Sequence, residues 1–485
     1  MNLSTAKASR RVKEVGIKKA IGAGRTELIF QYMGESLIMA FLSLSVAVIL
    51  VGLLLPQFNM ITGKQLSISI TLPLALSFLM ITVISGLVAG SYPALYLSGF
   101  NPVTVLKGKL NSSVGELWAR KGLVVFQFAL SVILILSVWV VYQQIEYVQN
   151  ENLGYNKDNV ISLPLEGKVA ENPETFLEEV KRVPGVANAS TMQANIIGVT
   201  SGTTGLNWPG KNPDDVINFR NFSVGFDMIE TLGMEIKSGR SFSRDFKSDS
   251  AAIILNEAAI EVIGLDDPVG SIINLWGQDR QIIGVVKDFH FESLHEEVKP
   301  LFIKLEANIM LNAAIKIEAG KERETLARLQ DFYQSFNPGY TFDYKFIDAE
   351  YKALYEAEQR VSTLSKYFAG LAIIISCLGL FGLAAFTAER RLKEIGIRKI
   401  LGSSNLGIIR LLSGDFTKMV LLAVAIALPL SYFIVTTWLS TFEYSIKLEW
   451  WYFPAAGLIA LFIAWFTVGL QTVKAARVNP TDGVN

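Results

Sequence analysis

The sequence contains few of the side chains on which enzyme active sites depend. Its 485 residues include one cysteine, Cys377, and two histidines, His290 and His295. A single cysteine excludes a disulfide within the chain, and its apolar surroundings indicate ordinary packing. The motifs of a P-loop (G-x-x-x-x-G-K-[ST]), a zinc protease helix (H-E-x-x-H) and a nucleophile elbow (G-x-S-x-G) are missing from the sequence. We therefore expect a protein that is not an enzyme, with no catalytic, cofactor-binding or metal-binding residues of its own.

Ionisable side chains are missing from six long stretches of the chain. Each stretch has the roughly 20 residues that an α-helix needs to cross about 30 Å of hydrocarbon. The composition agrees, with 51% hydrophobic and 18% charged residues. A proton- or sodium-coupled carrier would be expected to bury an ionisable residue in mid-helix, and these stretches have none. The sequence predicts an α-helical integral membrane protein with six transmembrane helices, over Ser36–Leu55, Leu72–Leu97, Gly122–Tyr142, Tyr367–Ala388, Met419–Ser440 and Trp450–Val473.

Basic residues are concentrated beside particular ends of these stretches. Seven Lys or Arg lie in residues 7–25, four in 107–121 and seven in 390–418, whereas the loops 56–71 and 441–449 contain one lysine each. By the positive-inside rule, both termini are cytoplasmic, and six crossings agree with this. We therefore predict a multi-pass protein of the cell inner membrane, in contact with lipid, whose residues 146–366 lie in the periplasm.

Residues 146–366 show alternating strand-like and helix-like patterns rather than low complexity. The stretches "NVISLPL" (159–165) and "VANASTM" (186–192) are typical of strands, and the proline at the start of "PETFLEEVKRVPG" (173–185) indicates a helix. The stretch "AAIILNEAAIEVIG" (251–264) predicts a strand followed by a helix, and "RQIIGVVKDF" (280–289) predicts another strand. We expect one α+β domain here.

A basic phrase of thirteen residues occurs twice, as "RRVKEVGIKKAIG" at 10–22 and "RRLKEIGIRKILG" at 390–402, with eight identical positions. A cluster that only touched anionic lipid could use any basic residues, at about 1 kcal/mol each. Both copies also keep a glutamate, which weakens attraction to lipid, and a central glycine, which weakens a helix. The pattern favours a binding surface for another protein that is present in two copies in this chain.

The phrase divides the chain into two unequal repeats that run in the same direction, each ending in Asn-Pro. The first repeat begins almost at its phrase, so we expect a truncated, split or mis-started form of a longer protein. The predicted organisation is a first copy of the phrase in 1–35, a partial transmembrane repeat of two helices in 36–110, a third transmembrane helix in 111–145, the α+β domain in 146–366, and a transmembrane domain of three helices in 367–485 with the second phrase in 389–415.

These residues resemble the permeases of the MacB, FtsX and lipoprotein-releasing (LolC) type of ATP-binding cassette (ABC) transporters. The chain looks most similar to the doubled permeases of Bacteroidota, without their first helix and first periplasmic core domain. The resemblance implies FtsX-like transmembrane repeats and a MacB-like periplasmic core domain. It rests on both phrases and on "GRSFSRDF" (239–246), "LNEAAIEVIGLDDPVG" (255–270), "IIGVVKDFHFESLHEEVKP" (282–300) and "LAIIISCLGLFGLAAFTAERRLKEIGIRK" (371–399).

The resemblance also implies a mechanism, in which a separate cytoplasmic ATPase dimer binds ATP and drives the permease. The two phrases would couple to that dimer, and the periplasmic domain would perform efflux, lipoprotein release or related mechanotransmission. A periplasmic adaptor or membrane-fusion protein is a further implied partner, and nucleic acid is not. The implied ATPase-coupling residues are Lys13, Glu14, Gly16, Ile17, Lys18, Lys19, Gly22, Lys393, Glu394, Gly396, Ile397, Arg398, Lys399 and Gly402.

Three features of the sequence allow an alternative interpretation. The spacing of His290 and His295 does not place two imidazoles on one helical face, so a solvated acidic surface turn is favoured over a metal site. Glycine pairs such as Gly86 and Gly90, or Gly379 and Gly382, favour close helix packing over a substrate path. The alternative function is a membrane-anchored sensor or scaffold whose outer domain binds a periplasmic partner, which would not require two matched phrases.

Overall fold

The computed structural model describes residues 12–69, 71–99, 114–197, 201–306 and 310–476. Six helices in it are long and apolar enough to cross a membrane, and this confirms the six predicted spans; they cover Arg25–Thr62, Leu72–Ser91, Lys121–Asn150, Glu356–Ala385, Gly407–Leu439 and Tyr452–Val473. The helices are α1 (Val12–Ala20), α2 (Arg25–Thr62), α3 (Leu72–Ser98), α4 (Val114–Asn150), α5 (Gly167–Glu171), α6 (Pro173–Val180), α7 (Met228–Leu232), α8 (Glu257–Ile263), α9 (Glu322–Phe336), α10 (Ile347–Leu354), α11 (Glu356–Arg390), α12 (Leu392–Ile400), α13 (Asn405–Leu439) and α14 (Tyr452–Ala476).

The chain forms two compact units. The membrane unit comprises Met1–Tyr142, Arg360–Thr437 and Lys447–Asn485, and the α+β domain comprises Gln143–Gln359 together with Trp438–Ile446. The sequence predicts that the last of these segments is part of the second transmembrane domain, because it joins two predicted spans. The structure instead groups this loop with the α+β domain.

Small residues let helices of the membrane unit approach closely. A Cβ atom placed on Gly86 of α3 would lie 2.8 Å from Cδ2 of Leu37, and one on Gly90 would lie 2.8 Å from Cβ of Ser36. Both neighbours belong to α2, so the prediction that this glycine pair serves helix packing is confirmed. Helices α4, α11, α13 and α14 share a separate apolar core, in which alanines of α13 and α14 are fully buried.

A mixed sheet of twelve strands forms the centre of the α+β domain in the described residues. The strands are β1 (Val160–Pro164), β2 (Val186–Met192), β3 (Gly202–Thr203), β4 (Leu206–Asn207), β5 (Phe219–Val224), β6 (Ile236–Gly239), β7 (Ala252–Asn256), β8 (Ile272–Leu275), β9 (Gln278–Val286), β10 (Leu301–Leu305), β11 (Asn312–Ile317) and β12 (Lys345–Phe346). Their order is β12-β1-β11-β2-β5-β10-β7-β9-β8-β4, with β3 on β5 and β6 on β9. The β5–β10 and β7–β9 pairs are parallel, and the other pairs are antiparallel.

Helices cover the sheet and complete its apolar cores. Phe176 of α6 and Tyr333 of α9 pack with β1, β2 and β11, and α8 packs with β7, β9 and β10. The strands and helices predicted around residues 160, 173, 186, 252, 257 and 280 are all present. These elements confirm the α+β fold class.

The segment after β9, residues 287–300, is anchored in the core of the domain. Phe289, Phe291 and Leu294 are fully or almost fully buried, and Glu292 forms ion pairs with Arg220 (2.6 Å) and Lys299 (2.7 Å). The prediction of a solvated acidic turn therefore holds for Glu296 and Glu297, which are exposed, but not for Glu292, because the neighbouring apolar residues draw that part of the segment into the core. Among the described residues, no cluster of His, Cys, Asp or Glu is arranged to hold a metal ion.

An ion pair organises the "GRSFSRDF" motif. The buried carboxylate of Asp249 accepts two hydrogen bonds from the Arg240 guanidinium (2.6 and 2.7 Å) and one from the Ser243 backbone N–H (2.9 Å). The guanidinium also lies 3.9 Å from the centre of the Phe246 ring. Burial raises the pKa of the Asp249 carboxyl, but the bonds from Arg240 and Ser243 outweigh it, so the pKa lies below its ordinary value.

This ion pair predicts a dependence of stability on pH. Because the folded-state pKa of Asp249 is depressed, its stabilisation is present above the ordinary carboxyl pKa of about 4 and is lost as pH falls through the folded pKa. Asp249→Asn is expected to lower the free energy of unfolding by about 2 kcal/mol at pH 7. In unfolding experiments between pH 7 and pH 3, the difference from the wild type should narrow below pH 4. A difference that stays constant across this range would contradict the prediction.

Candidate functional site

The two copies of the basic phrase fold into the same local structure. The first basic segment (residues 12–22) contains α1 and the second basic segment (residues 392–402) contains α12, each a helix of nine residues. Two residues after the last residue of each helix lies a glycine with positive φ, Gly22 (+107°) or Gly402 (+89°). Beyond it, the backbone N–H of Ala23 donates to the Lys18 carbonyl (3.0 Å), and that of Ser403 donates to the Arg398 carbonyl (2.9 Å). These are Schellman caps, which favour glycine at this position.

One face of each basic segment packs against the membrane unit. Val15 is buried with Leu28, Tyr32 and Ala94, and Ile395 is buried with Ala388, Ile408 and Leu412. Three of these positions correspond at a spacing of 380 residues, namely 15 with 395, 28 with 408 and 32 with 412. Gly16 and Gly396 are buried on the same side. The repeat in sequence is therefore also a repeat in packing.

The opposite face of each segment exposes apolar residues among charges. Ile17 and Ile397 are 52% and 54% exposed, and Ile21 and Leu401 are 81% and 79% exposed. A large apolar side chain that is mostly exposed at the same place in two copies indicates a contact with another molecule, because burial would gain free energy.

Ion pairs border the exposed apolar residues in both copies. The Glu14 carboxylate pairs with the Lys18 ammonium at 2.9 Å, and the Glu394 carboxylate pairs with the Arg398 guanidinium at 2.8 Å. The hydrogen bond that the Lys18 ammonium donates to the Glu14 carboxylate raises the pKa of Lys18. Each glutamate thus orients the basic residue one turn further along the helix.

Most of the predicted coupling residues belong to this surface or support it. Lys19 donates a hydrogen bond from Nζ to the Ser98 carbonyl (2.6 Å), which ties the first basic segment to the end of α3. The side chains of Lys13, Lys393 and Lys399 are outside what the structure describes. The remaining predicted residues are the paired charges, the buried glycines, the exposed isoleucines and the capping glycines already described.

Sequence reasoning missed the residues at the end of each helix. Ile21 and Leu401 are the most exposed apolar residues of their segments, and Ile400, which occupies the position of Ala20, is 66% exposed. The position before the capping glycine is apolar in both copies, although a soluble helix end is normally polar there. That feature of the sequence could have identified them.

The membrane repeats match a known protein family. Residues 1–102 and 367–480 match the family described as FtsX-like permease C-terminal, and these two stretches contain both basic segments. The resemblance predicted from the motifs is confirmed, because both stretches are FtsX-like and the chain is similar to ABC transporter permeases of the YknZ and MacB type.

Several known proteins are similar to it. An uncharacterized ABC transporter permease, YknZ of Bacillus subtilis (strain 168), is 22% identical over half of this chain and 63% of its own length. The macrolide export ATP-binding/permease protein MacB of Bdellovibrio bacteriovorus is 34% identical over 22% of this chain and 16% of its own length. The chain thus spans less than two thirds of either relative. A solved structure, the periplasmic region of MacB from Actinobacillus actinomycetemcomitans, matches 42% of this chain and 97% of that one, at 14% identity and a TM-score of 0.30.

Proposed function

We propose that this chain is a permease subunit that couples ATP hydrolysis by a separate cytoplasmic ATPase dimer to conformational work in the α+β domain. The observation that supports this most directly is the repeated exposed surface, in which Ile17 with Ile21 and Ile397 with Leu401 lie beside matched ion pairs. A partner with two equivalent subunits would bury one copy in each subunit.

The orientation of the chain is part of the proposal. The clusters of Lys and Arg near the basic segments favour the cytoplasmic side of the cell inner membrane for both segments and both termini. The α+β domain then lies outside the cytoplasm, where it could act on a periplasmic adaptor, a membrane-fusion protein or a substrate. ATP is bound by the partner, and this chain takes no part in the chemistry.

Charge reversal in both basic segments tests the proposal. The double variant Glu14→Lys/Glu394→Lys places two positive charges one turn apart in each basic segment, beside the exposed isoleucine. We expect association with the ATPase to weaken at least tenfold. The measurement is co-purification with the ATPase subunit encoded beside the gene, together with stimulation of its ATP hydrolysis. The exposed ion pairs themselves contribute only about 0–1 kcal/mol to stability, so loss of binding would not reflect unfolding.

A matched control exists in the α+β domain. Glu324 forms an exposed ion pair with Arg328 four residues later, as Glu394 does with Arg398. Glu324→Lys should leave association with the ATPase unchanged. If the double variant bound and stimulated the ATPase as well as the wild type does, the assignment of the two basic segments as coupling sites would be wrong.

A further inference from the structure

The α13–α14 loop, Trp438–Ile446, connects two spanning helices but is built into the α+β domain. Gln144, fully buried near the end of α4, binds the loop with both atoms of its side-chain amide. Its Nε2 donates to the Tyr444 carbonyl (3.0 Å), and its Oε1 accepts from the Ile446 backbone N–H (2.8 Å). A buried amide that satisfies one donor and one acceptor of the same segment fixes the position of that segment.

The segment after β9 binds the other side of the loop. The Leu294 carbonyl accepts a hydrogen bond from the Tyr444 backbone N–H (3.2 Å), and the Leu294 backbone N–H donates to the hydroxyl of Tyr355 (2.8 Å). The His295 ring stacks on Phe442 with 3.8 Å between ring centres, and its Nδ1 lies 2.8 Å from the Thr441 carbonyl oxygen.

The loop therefore shares the apolar core of the domain. Phe442 is buried in the same cluster as Phe289, Phe291 and strands β5, β7 and β10. The His290 and Tyr444 rings pack edge to face, with 4.6 Å between ring centres. Because protein interiors are densely packed, a displacement of the loop is transmitted to these strands rather than absorbed.

The corresponding loop of the first repeat is held differently. The stretches "LSI" at 66–68 and "YSI" at 444–446 occupy equivalent places between the two helices of each repeat. The Asn59 side chain binds Leu66 with two hydrogen bonds, from Nδ2 to the carbonyl (2.7 Å) and from the backbone N–H to Oδ1 (3.0 Å). Both residues belong to the membrane unit, so the two repeats differ in which unit their loop belongs to.

We infer that the α13–α14 loop is a second mechanical input to the α+β domain, with Gln144 and His295 as the residues that position it. The chain passes between the two units four times, and two of these passages are the ends of this loop. A displacement of α13 and α14 would then reach the sheet through the loop, in addition to α4 and α11. This inference depends on the proposed function for the source of the movement.

The test uses the full chain in nanodiscs with the ATPase encoded beside the gene. Spin labels are attached at Lys64→Cys and Val216→Cys in a Cys377→Ala background, and the distance distribution is measured with ADP and with ATP. In Gln144→Leu/His295→Ala we expect the ATP-dependent change in distance to be at least twofold smaller, while stimulation of ATP hydrolysis stays within twofold of the wild type. Asn59→Leu, which breaks the matching bonds in the first repeat, should keep the full change.

The outcomes separate this inference from the proposed function. A change in distance as large in Gln144→Leu/His295→Ala as in the wild type would overturn the role of the loop. If circular dichroism shows that the double variant does not fold, the distance measurement is made on Gln144→Glu instead. This variant keeps the acceptor for the Ile446 N–H but loses the donor to the Tyr444 carbonyl. It should give an intermediate change, and a full change would overturn the role of the loop. If the distance distribution of the wild type did not change between ADP and ATP, and the wild type did not stimulate the ATPase, the proposed function would be refuted. The loop mechanism would then be refuted with it.

Discussion

Replacing Ile397 and Leu401 together with aspartate is expected to weaken association with the ATPase about a hundredfold. Both side chains are more than half exposed in this chain, and full burial of such a side chain contributes about 1.5–3 kcal/mol. Because the two side chains are 54% and 79% exposed, losing their burial removes about 2–4 kcal/mol, and each 1.4 kcal/mol is a factor of about ten in the dissociation constant. The dissociation constant, measured by titrating the ATPase subunit onto the immobilised permease, checks this prediction.

Two control variants make this measurement specific. Val216→Asp introduces the same charge at an equally exposed apolar residue of the α+β domain and should not change the dissociation constant. Ile400→Ala gives the second basic segment the residue that the first one has at Ala20, and should weaken binding by less than the double substitution. Equal binding by the aspartate variant and Val216→Asp would show that the second basic segment is not an interface.

Asn256→Ala is expected to be the most destabilising single change in the α+β domain that we predict, at about 3 kcal/mol. The buried Asn256 amide makes four hydrogen bonds, accepting at Oδ1 from the N–H groups of Ala259 (3.1 Å) and Leu301 (2.8 Å) and donating from Nδ2 to the Asp288 carboxylate (2.8 Å) and the Lys299 carbonyl (3.0 Å). Alanine would leave several of these buried groups without a partner, at about 1–3 kcal/mol each.

Thermal unfolding of the purified protein measures the effect of this change. For a domain of this size, a loss of about 3 kcal/mol lowers Tm by about 6–12 °C. Asn274 offers a matched comparison, because it also makes side-chain hydrogen bonds, to Asp279 and to the Gly277 N–H, but in an exposed hairpin. Asn274→Ala should lower Tm by much less. Similar losses for the two variants would contradict the role of Asn256 as the junction between α8, β10 and the segment after β9.

Features that depend on local composition were predictable from the sequence. The six spans follow from uncharged stretches, and the strands at residues 160 and 252 follow from local patterns and turn residues. The two basic segments could be found because a repeated phrase with a retained glutamate and glycine is unusual for a cluster that only contacts lipid. The exposed Ile21 and Leu401 were not among the predicted residues. Which face of each basic segment is exposed depends on how its other face packs against the rest of the membrane unit.

Features that depend on contacts distant in sequence were not predictable. The parallel pairing of β5 with β10 joins residues about 80 positions apart, and no local pattern specifies it. The acidic residues of 287–300 favour a solvated turn, but the burial of Phe289, Phe291 and Leu294 by residues from distant parts of the chain determines the position of the segment. Dependence on distant contacts is also the reason that the local pattern predicts the α13–α14 loop to be part of the membrane unit, with the two helices that flank it.

The replacement of Ala20 in the first basic segment by Ile400 in the second has a consequence for any homodimeric partner. Two chemically identical ATPase subunits would meet unequal amounts of apolar surface, because Ile400 adds an exposed side chain that Ala20 lacks. The subunit on the Ala20 side would then dissociate sooner than its neighbour. A symmetric motor bound to this chain would thus become functionally polarised, with a defined order in which its two halves engage and release.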